Sequence, residues 1–590
     1  TFNDVAAIAA LLGNVFGRGG GGEVESSRLL GALRARLGPD AGFQAWNDLR
    51  RADDPETPTT TKKRFPYDTA PATIGAGAAI VDPGATPASL RESSPPRLMS
   101  NALLIGRARS ATGHPLFVAG PQLGYYYPEF FSEQDLHGGG IDVRGGALPG
   151  VPYVLVGRGK DFVWSATSAS SDNTDQFLEE LCTPTTYRYK GSCRRFAQVN
   201  AGLLKGGNGQ PDLRLTYMQS VHGPISGTVT VGGKQYAVAY SRSTRGRDIF
   251  SVNAIEALNS NRVRSAKDFV RTQSGIEYTF NLFYADSQDI AFISTGRLPI
   301  RARGTFPGLP TLGTGRYDWK GFLPRSRHPQ AINRSSGLIL NWNNKPAPGW
   351  SASDINFDYG PVHRVQLFNG FGAKSTLADV VAVMNRAATQ DLRAVRSWPL
   401  IQAVLATGPA PDERTAQAAA LVTAWGGNGG SRLDRDLDGK IDDPGAAVLD
   451  AAWNRIADAV MSPVLGDLTD QLAKLEKRDQ PANENGTSYA EGWYGYIDKD
   501  LRSLLGRPVT QPFSRRYCGG GDLAACRDSL WGALKAASDD LSQAQGADPA
   551  AWRSDATGER IRFAPGVLGE TMRWANRPTF QQVMEFTGHR

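Results

Sequence analysis

The run Met99-Ser100-Asn101-Ala102-Leu103-Leu104-Ile105-Gly106 decides how this chain is read. A segment rich in Pro, Thr, Gly, Ala and Ser, residues 51 to 98, leads into it through Pro95-Pro96, and an apolar stretch with strand composition, Ala102 to Ala108, follows. If the chain is cut before Ser100, that serine gains a free α-amine. A serine hydroxyl is a weak nucleophile without a base in reach, and an α-amine with an ordinary pKa of about 8 supplies one at neutral pH. Nucleophile and base would then sit on one residue. In isolation, Ser-Asn is also an ordinary way to open a strand.

The residues downstream add to this reading. Gly120-Pro121-Gln122, Leu136-His137-Gly138-Gly139-Gly140, Pro149-Gly150 and the stretch from Trp164 through Asp172 to Asp175 follow in order. Gly313-Thr314-Gly315, Asp318-Trp319-Lys320-Gly321, Asn341-Trp342-Asn343-Asn344-Lys345-Pro346, Ser353-Asp354 and Arg364-Val365 come next. Together, over residues 23 to 370, they resemble the penicillin acylase (penicillin amidase) family of N-terminal nucleophile hydrolases. The resemblance implies an α+β chain with the four-layer αββα sandwich, its nucleophile opening a central strand.

A chain of 590 residues is long enough for a large core or several cores, and 40% hydrophobic with 21% charged residues describes an ordered globular protein. The net charge of +7 is mild for this length and interspersed, which does not indicate nucleic acid. No apolar run is long enough to span a bilayer. Cys182 with Cys193 and Cys518 with Cys526 read as two local disulfides of an extracytoplasmic protein; four free thiols are the cytosolic alternative. Zinc is disfavoured, because neither pair has Cys-x-x-Cys spacing and there are six histidines. The chain opens inside an amphipathic helical pattern, so it reads as lacking its true N-terminus.

Helical periodicity covers residues 4 to 16 and 26 to 50 around the glycine run Gly19 to Gly22. Strands are expected at Ala102 to Ala108, Pro115 to Ala119, Tyr153 to Gly157, Phe162 to Thr167 and Gly337 to Asn341, with hairpins through 212 to 301. Helices follow at Leu377 to Ala387, Ala416 to Trp425, Ala446 to Leu475 with an interruption at Pro463, Ala524 to Leu541, and Phe580 to Phe586. The expected organisation is an α-chain remnant over 1–70, an excised spacer over 71–99, a catalytic core over 100–372, a helical segment over 373–545 and a C-terminal part over 546–590. The α- and β-chains of one precursor would form a heterodimer.

Amide hydrolysis needs a nucleophile, a proton shuttle and donors for the oxyanion. The resemblance assigns these to Ser100, its own amine, the side chain of Asn343 and the backbone N–H of Ser168, with Gln122 and Arg364 orienting the amine and the asparagine. Read without it, Asn343 is a turn asparagine and the other two are packing residues. The acyl pocket falls on Leu12, Phe16, Leu123, Val156 and Ala166. Leu123, Val156 and Ala166 stand where phenylacetyl-preferring members carry aromatic or polar walls, which favours aliphatic acyl groups unless compensating packing restores the aromatic preference.

The resemblance also implies one structural Ca²⁺ held by Glu23, Asp172, Asp175, Asp354 and the carbonyls of Thr174 and Pro307, an all-oxygen set suited to a hard cation. A second calcium signal is independent of it. Asp434, Asp436, Asp438 and Asp442 alternate around Gly439 as in an EF-hand loop, although Gly445 takes the place of the bidentate glutamate. A solvated acidic turn is the alternative there.

The functional expectation is an acylase that removes a hydrophobic acyl group from a small-molecule amide. An acylase for N-acyl homoserine lactones or lipopeptides is the enzymatic alternative, and a non-catalytic calcium-binding extracellular protein of the same fold is the other. A Ser-His-Asp hydrolase is disfavoured, because no Gly-x-Ser-x-Gly elbow occurs.

Overall fold

The computed structural model describes residues 1–83, 99–124, 129–357, 359–481, 486–562, 571–573 and 576–588. Two antiparallel sheets face each other at its centre. The first is four-stranded, in the order Leu338–Asn341, Met99–Ile105, Leu116–Gln122, Gln582–Glu585. The second is seven-stranded and includes Phe162–Ser168, Phe280–Asp286 and Ile290–Ser294.

The period of two along each strand builds the layers. Ala102, Leu104, Phe117 and Ala119 of the first sheet pack against Val163, Phe283, Ala285 and Phe292 of the second. The alternate residues Leu103, Ile105, Leu116 and Val118 turn outward into the helical core that includes Val380, Val383 and Met384 of helix Leu377–Thr389. On the far side, Trp164, Leu282, Tyr284 and Ile293 meet Ala254 and Leu258 of helix Val252–Asn259 and Phe269 of helix Ala266–Gln273. Helix, sheet, sheet, helix is the expected αββα sandwich.

Several local expectations are corrected. Residues 580–586 do not form a helix: Gln582–Glu585 is a strand paired with Leu116–Gln122, and Met584 and Phe586 pack between the sheets at a period of two. Residues 212–301 are not all hairpins, because helices Val252–Asn259 and Ala266–Gln273 lie within them. At eight residues each, they span too few turns for a strong periodic signal. The helix expected over 26–50 divides into Glu23–Leu37 and Pro39–Leu49, where Gly38 takes φ +89° and Pro39 starts the next helix. Helix Pro444–Leu465 runs through Pro463 and stops at Gly466, whose φ of +55° ends it before Leu468–Leu475 begins. The strand expected from Tyr153 shortens to Val156–Arg158, and the strand that carries Ser100 begins at Met99 rather than Ala102.

Residues 51–83 hold no helix or strand, yet part of this stretch is tied down. The N–H groups of Thr60, Thr61, Phe65 and Tyr67 donate to the carbonyls of Lys345, Pro346, Pro348 and Gly349 at 2.9–3.0 Å, so this stretch braces the loop after Asn343. Ala79 and Val81 are buried, and the Val81 N–H donates to Ser27 Oγ at 2.8 Å. The part of the expected spacer from 84 to 98 lies outside the described residues. Cys182–Cys193 and Cys518–Cys526 form the two expected disulfides. Among the described residues, no helix is long and apolar enough to cross a membrane.

Candidate active site

Ser100 pairs with Pro121 on one neighbouring strand, and two residues later Ala102 pairs with Asn341 on the other. The chain leaving Asn341 therefore turns beside Ser100. Asparagine side chains shape this turn: Asn341 Oδ1 accepts from the Asn343 N–H at 2.9 Å, and Asn344 Oδ1 accepts from the Trp342 N–H at 3.0 Å. Asn343 itself takes φ +68°, a left-handed conformation that asparagine tolerates better than most residues.

That turn aims Asn343 at Ser100. The Ser100 N–H donates to Asn343 Oδ1 at 2.9 Å, and Asn343 Nδ2 donates to the Ser168 carbonyl at 2.9 Å. An amide nitrogen carries two protons, so one remains for an oxyanion. Ser100 is buried, and its Oγ donates to the Met99 carbonyl at 2.5 Å.

Arg364 holds the other side of Asn343. Its Nη2 donates to Asn343 Oδ1 at 3.3 Å, which fixes which end of the amide is oxygen. Its guanidinium lies 4.8 Å from the Trp342 ring, and Trp342 stacks on Phe368 at 4.5 Å. Nη1 donates to the Ser488 carbonyl at 2.7 Å and to Thr487 Oγ1. Burial pushes the Arg364 pKa down to about 9, and no carboxylate pairs with it among the described residues. Gln122 joins the same network: Oε1 accepts from Trp342 Nε1 at 2.8 Å, and Nε2 donates to the Gly486 carbonyl at 3.0 Å and to Asn576 Oδ1 at 3.3 Å. Asn576, Thr487 and Ser488 were not foreseen, because they approach only through tertiary folding. His363 is no proton shuttle here. Burial lowers its pKa to about 3, and Nδ1 caps the following turn by accepting from the Val365 N–H at 3.1 Å.

Ser100 stands at the edge of an apolar cavity of about 90 Å³. All five expected pocket residues, Leu12, Phe16, Leu123, Val156 and Ala166, line it together with Ser100. Ile255 and Leu258 of one unforeseen helix and Gln273 of the other contribute as well. On the other side of Phe16 and Ser168 opens a larger cleft of about 1120 Å³, where Met99 and Asn343 meet charged side chains such as Arg28, Lys474 and Asp470. Pro83 and Met99, which bracket residues 84–98, both line this cleft.

The first expected cation set is buried together but not gathered to one point: among the described residues, no three of its carboxylates bring ligand atoms within 4.8 Å of one another. Glu23, Asp172, Asp175 and Asp354 are buried around the glycine run. At Gly20, with φ +89°, a Cβ would fall 2.1 Å from Asp172 Oδ1 and 2.4 Å from the Thr174 carbonyl, so only glycine allows this approach. Burial, then repulsion from Asp354, Asp175 and Asp172, pushes the Glu23 pKa well up, and Glu23 Oε2, Asp172 Oδ1 and Asp354 Oδ1 have no hydrogen-bond partner. These buried oxygens suit a hard cation. Asp175 is already satisfied by Arg301 at 2.6 Å and Trp319 Nε1 at 2.7 Å. Arg301, which also pairs with Asp172 and Asp68 at 2.9 Å each, and Asp68 were not foreseen. Pro307 is half-buried beside Gly308, which abuts Arg50, the guanidinium that acts on Asp354.

In the second set, ligand atoms of Asp434, Asp436 and Asp442 lie within 4.8 Å of one another. Asp438 is not brought into this group; its Oδ1 accepts from the Lys440 N–H at 2.7 Å. Asp442 also pairs with Arg435 at 2.6 Å.

The sandwich, with a serine opening a central strand against an asparagine and a backbone carbonyl, has the N-terminal nucleophile hydrolase fold. The family model for penicillin amidase matches residues 1–580, and the chain belongs to that family. Penicillin G acylase of Escherichia coli is 28% identical over 473 residues, covering 72% of this chain and 54% of that protein. Acyl-homoserine lactone acylase QuiP of Pseudomonas syringae pv. syringae (strain B728a) is 28% identical over 296 residues, covering 49% of this chain and 34% of that protein. The chain thus spans about half, or less, of the length of these curated relatives. A crystal structure of the thermostable penicillin G acylase from Alcaligenes faecalis overlays with a TM-score of 0.70 at 24% identity, over 82% of this chain and 88% of that one.

Proposed function

We propose that this chain is an acylase that cleaves a hydrophobic acyl group from an amide, after cutting its own backbone before Ser100. One observation carries the reading: Ser100 stands at the edge of the apolar pocket, and its partner Asn343 lines the polar cleft. In self-cleavage, Ser100 Oγ attacks the Met99 carbonyl carbon, the Oγ proton passes to the Ser100 nitrogen as the Met99–Ser100 C–N bond breaks, and the serine is left with a free amine and an ester to Met99. Water then hydrolyses the ester. In turnover, that amine takes the Oγ proton as Oγ attacks the substrate carbonyl. The remaining Asn343 Nδ2 proton and the Ser168 N–H stabilise the oxyanion. The amine returns the proton to the leaving nitrogen, and water cleaves the acyl-serine by the same route.

The acyl tail would occupy the apolar cavity and the amine-bearing half the charged cleft. A cavity of about 90 Å³ is smaller than the roughly 150 Å³ that accommodates benzene, which favours a short aliphatic acyl group over an aromatic one. That observation supports the second reading, an acylase for aliphatic N-acyl substrates such as N-acyl homoserine lactones. Turnover of a panel of amides with a common leaving group and alkyl or aryl acyl groups tests both, and no turnover by a protein cleaved at Ser100 would contradict both.

Calcium belongs to the same proposal. Glu23, Asp172, Asp354 and the Thr174 carbonyl would hold a structural Ca²⁺ beside the glycine run, and Asp434, Asp436 and Asp442 a second. Bound there, the ions supply charge neutralisation and cross-linking rather than chemistry. The two disulfides support an extracytoplasmic location.

A further inference from the structure

One residue sets a side-chain amide into a wall that is otherwise mostly aliphatic and aromatic. Gln273, the last residue of helix Ala266–Gln273, is fully buried and lines the acyl cavity. Its Nε2 donates to the Ala254 carbonyl at 3.0 Å, while its Oε1 has no hydrogen-bond partner. The amide orientation follows from that contact, since a flip would set two carbonyl oxygens against each other.

The other polar side chains lining the cavity are satisfied. Thr167 Oγ1 donates to Asn341 Oδ1, Ser168 Oγ to the Phe16 carbonyl, Tyr278 Oη to either the Ala9 or the Asp248 carbonyl, each 2.9 Å away, and Trp164 Nε1 to the Leu155 carbonyl. Ser100 Oγ is engaged by Met99. Gln273 Oε1 is therefore the one orphaned side-chain acceptor among the described residues of this wall. A buried acceptor without a donor is costly, and a leucine or methionine there would serve a purely hydrocarbon tail better.

We infer that Gln273 Oε1 is a specificity element that accepts a hydrogen bond from a hydroxyl or N–H on the distal part of the acyl group. This rests on the assignment of the cavity as the acyl pocket. The preferred substrates are then amides of short hydroxy- or amino-substituted acids. Tails ending in a carboxylate are rejected, because a carboxylate offers only acceptors to a carbonyl oxygen in an apolar wall.

Paired ligands test the inference: ω-hydroxyalkanoic acids and the alkanoic acids bearing a methyl in place of the hydroxyl, each as the free acid and as its 4-nitroanilide. Calorimetry with the free acids reads the pocket whether or not an amide is cut, and anilide turnover reads the acylase activity separately. The wild-type protein is expected to favour the hydroxyl member of a matched pair by about 10- to 100-fold in Kd, and in kcat/KM if it turns over. Gln273→Met keeps the length and removes the acceptor, and it is expected to abolish or reverse the preference while retaining affinity for the methyl member. Equal or better binding of the methyl acids to the wild type overturns the inference, even if Gln273→Met does not fold. Absence of anilide turnover alongside a retained hydroxyl preference would overturn the acylase reading and leave this one standing.

Discussion

Asn343→Asp separates chemistry from architecture at this site. The side chain makes three contacts: Oδ1 accepts from the Ser100 N–H at 2.9 Å and from Arg364 Nη2 at 3.3 Å, and Nδ2 donates to the Ser168 carbonyl at 2.9 Å. A carboxylate keeps both acceptor contacts. It also gives Arg364, whose pKa burial lowers to about 9, a charged partner, so the buried cation becomes easier to hold. What the substitution removes is the N–H pair, and it sets a negative oxygen where an oxyanion would form. Losing one such donor costs about 2.7–4 kcal/mol of transition-state stabilisation, a factor of about 10² to 10³ in kcat. The added charge repulsion makes this a lower bound. Asn343→Ala loses the same donor, but it also gives up the Arg364 brace and leaves alanine at φ +68°, a conformation costing roughly 1–2 kcal/mol. The assay is kcat for a chromogenic amide on protein made as two co-expressed segments, the second beginning at Ser100, so that self-cleavage is bypassed. Thermal unfolding is run alongside. Asn343→Asp is expected to unfold within a few degrees of wild type and to lose at least about two orders of magnitude in kcat, with little change in KM. A folded Asn343→Asp protein that keeps more than about a tenth of wild-type kcat would refute the assignment of the oxyanion to this side chain.

Two further predictions concern stability. His222 lies between Glu179 at 2.7 Å and Asp318 at 3.0 Å; burial lowers its pKa, but those hydrogen bonds outweigh it and push it up to about 9. A pKa raised on folding from an ordinary 6.5 stabilises the fold fully below pH 6.5, and this is lost as pH rises through 9. Denaturant titrations of wild type and His222→Gln are expected to differ by on the order of 3 kcal/mol at pH 6 and to converge above pH 9; a constant difference across that range would contradict this. Calcium is expected to raise the unfolding temperature of chelator-treated protein, by the equivalent of about 2.7 kcal/mol at a concentration 100 times Kd. Glu23→Gln combined with Asp354→Asn should remove most of that response, and an unchanged response would assign it to another site.

The parts of the site that could be read from sequence are those fixed by local pattern. The apolar strand after Ser100 and the asparagine-rich turn at 341–344 are legible as contiguous motifs, whereas the five pocket residues follow only from the family resemblance, Leu12 and Phe16 lying on and at the end of a helix far from the strands they join. Contacts made only by long-range folding left no such signal. Asn576 reaches Gln122 across 454 positions, and Arg301 enters the acidic cluster from a segment without periodic character. Gln273 was hidden because its helix is eight residues long and lay inside a region read as hairpins. At 582–585 the sequence pattern does not separate strand from helix, because its apolar residues fit both periods over so short a run. Tertiary pairing with Leu116–Gln122 decided between them. Asp438 shares the alternation of its neighbours, but its local turn to the Lys440 N–H takes it out of the acidic group.

For Ser100 to act as an N-terminal nucleophile, the chain has to be cut before it, and in the proposed mechanism Ser100 makes that cut itself. The most direct measurement is intact mass under denaturing conditions for full-length wild-type protein and for Ser100→Ala. Wild type is expected to give two polypeptides, one of them beginning at Ser100, and the variant a single uncut chain. A single uncut chain from both would contradict the self-processing mechanism, and cleavage at the same bond in both would show that the cut does not depend on Ser100.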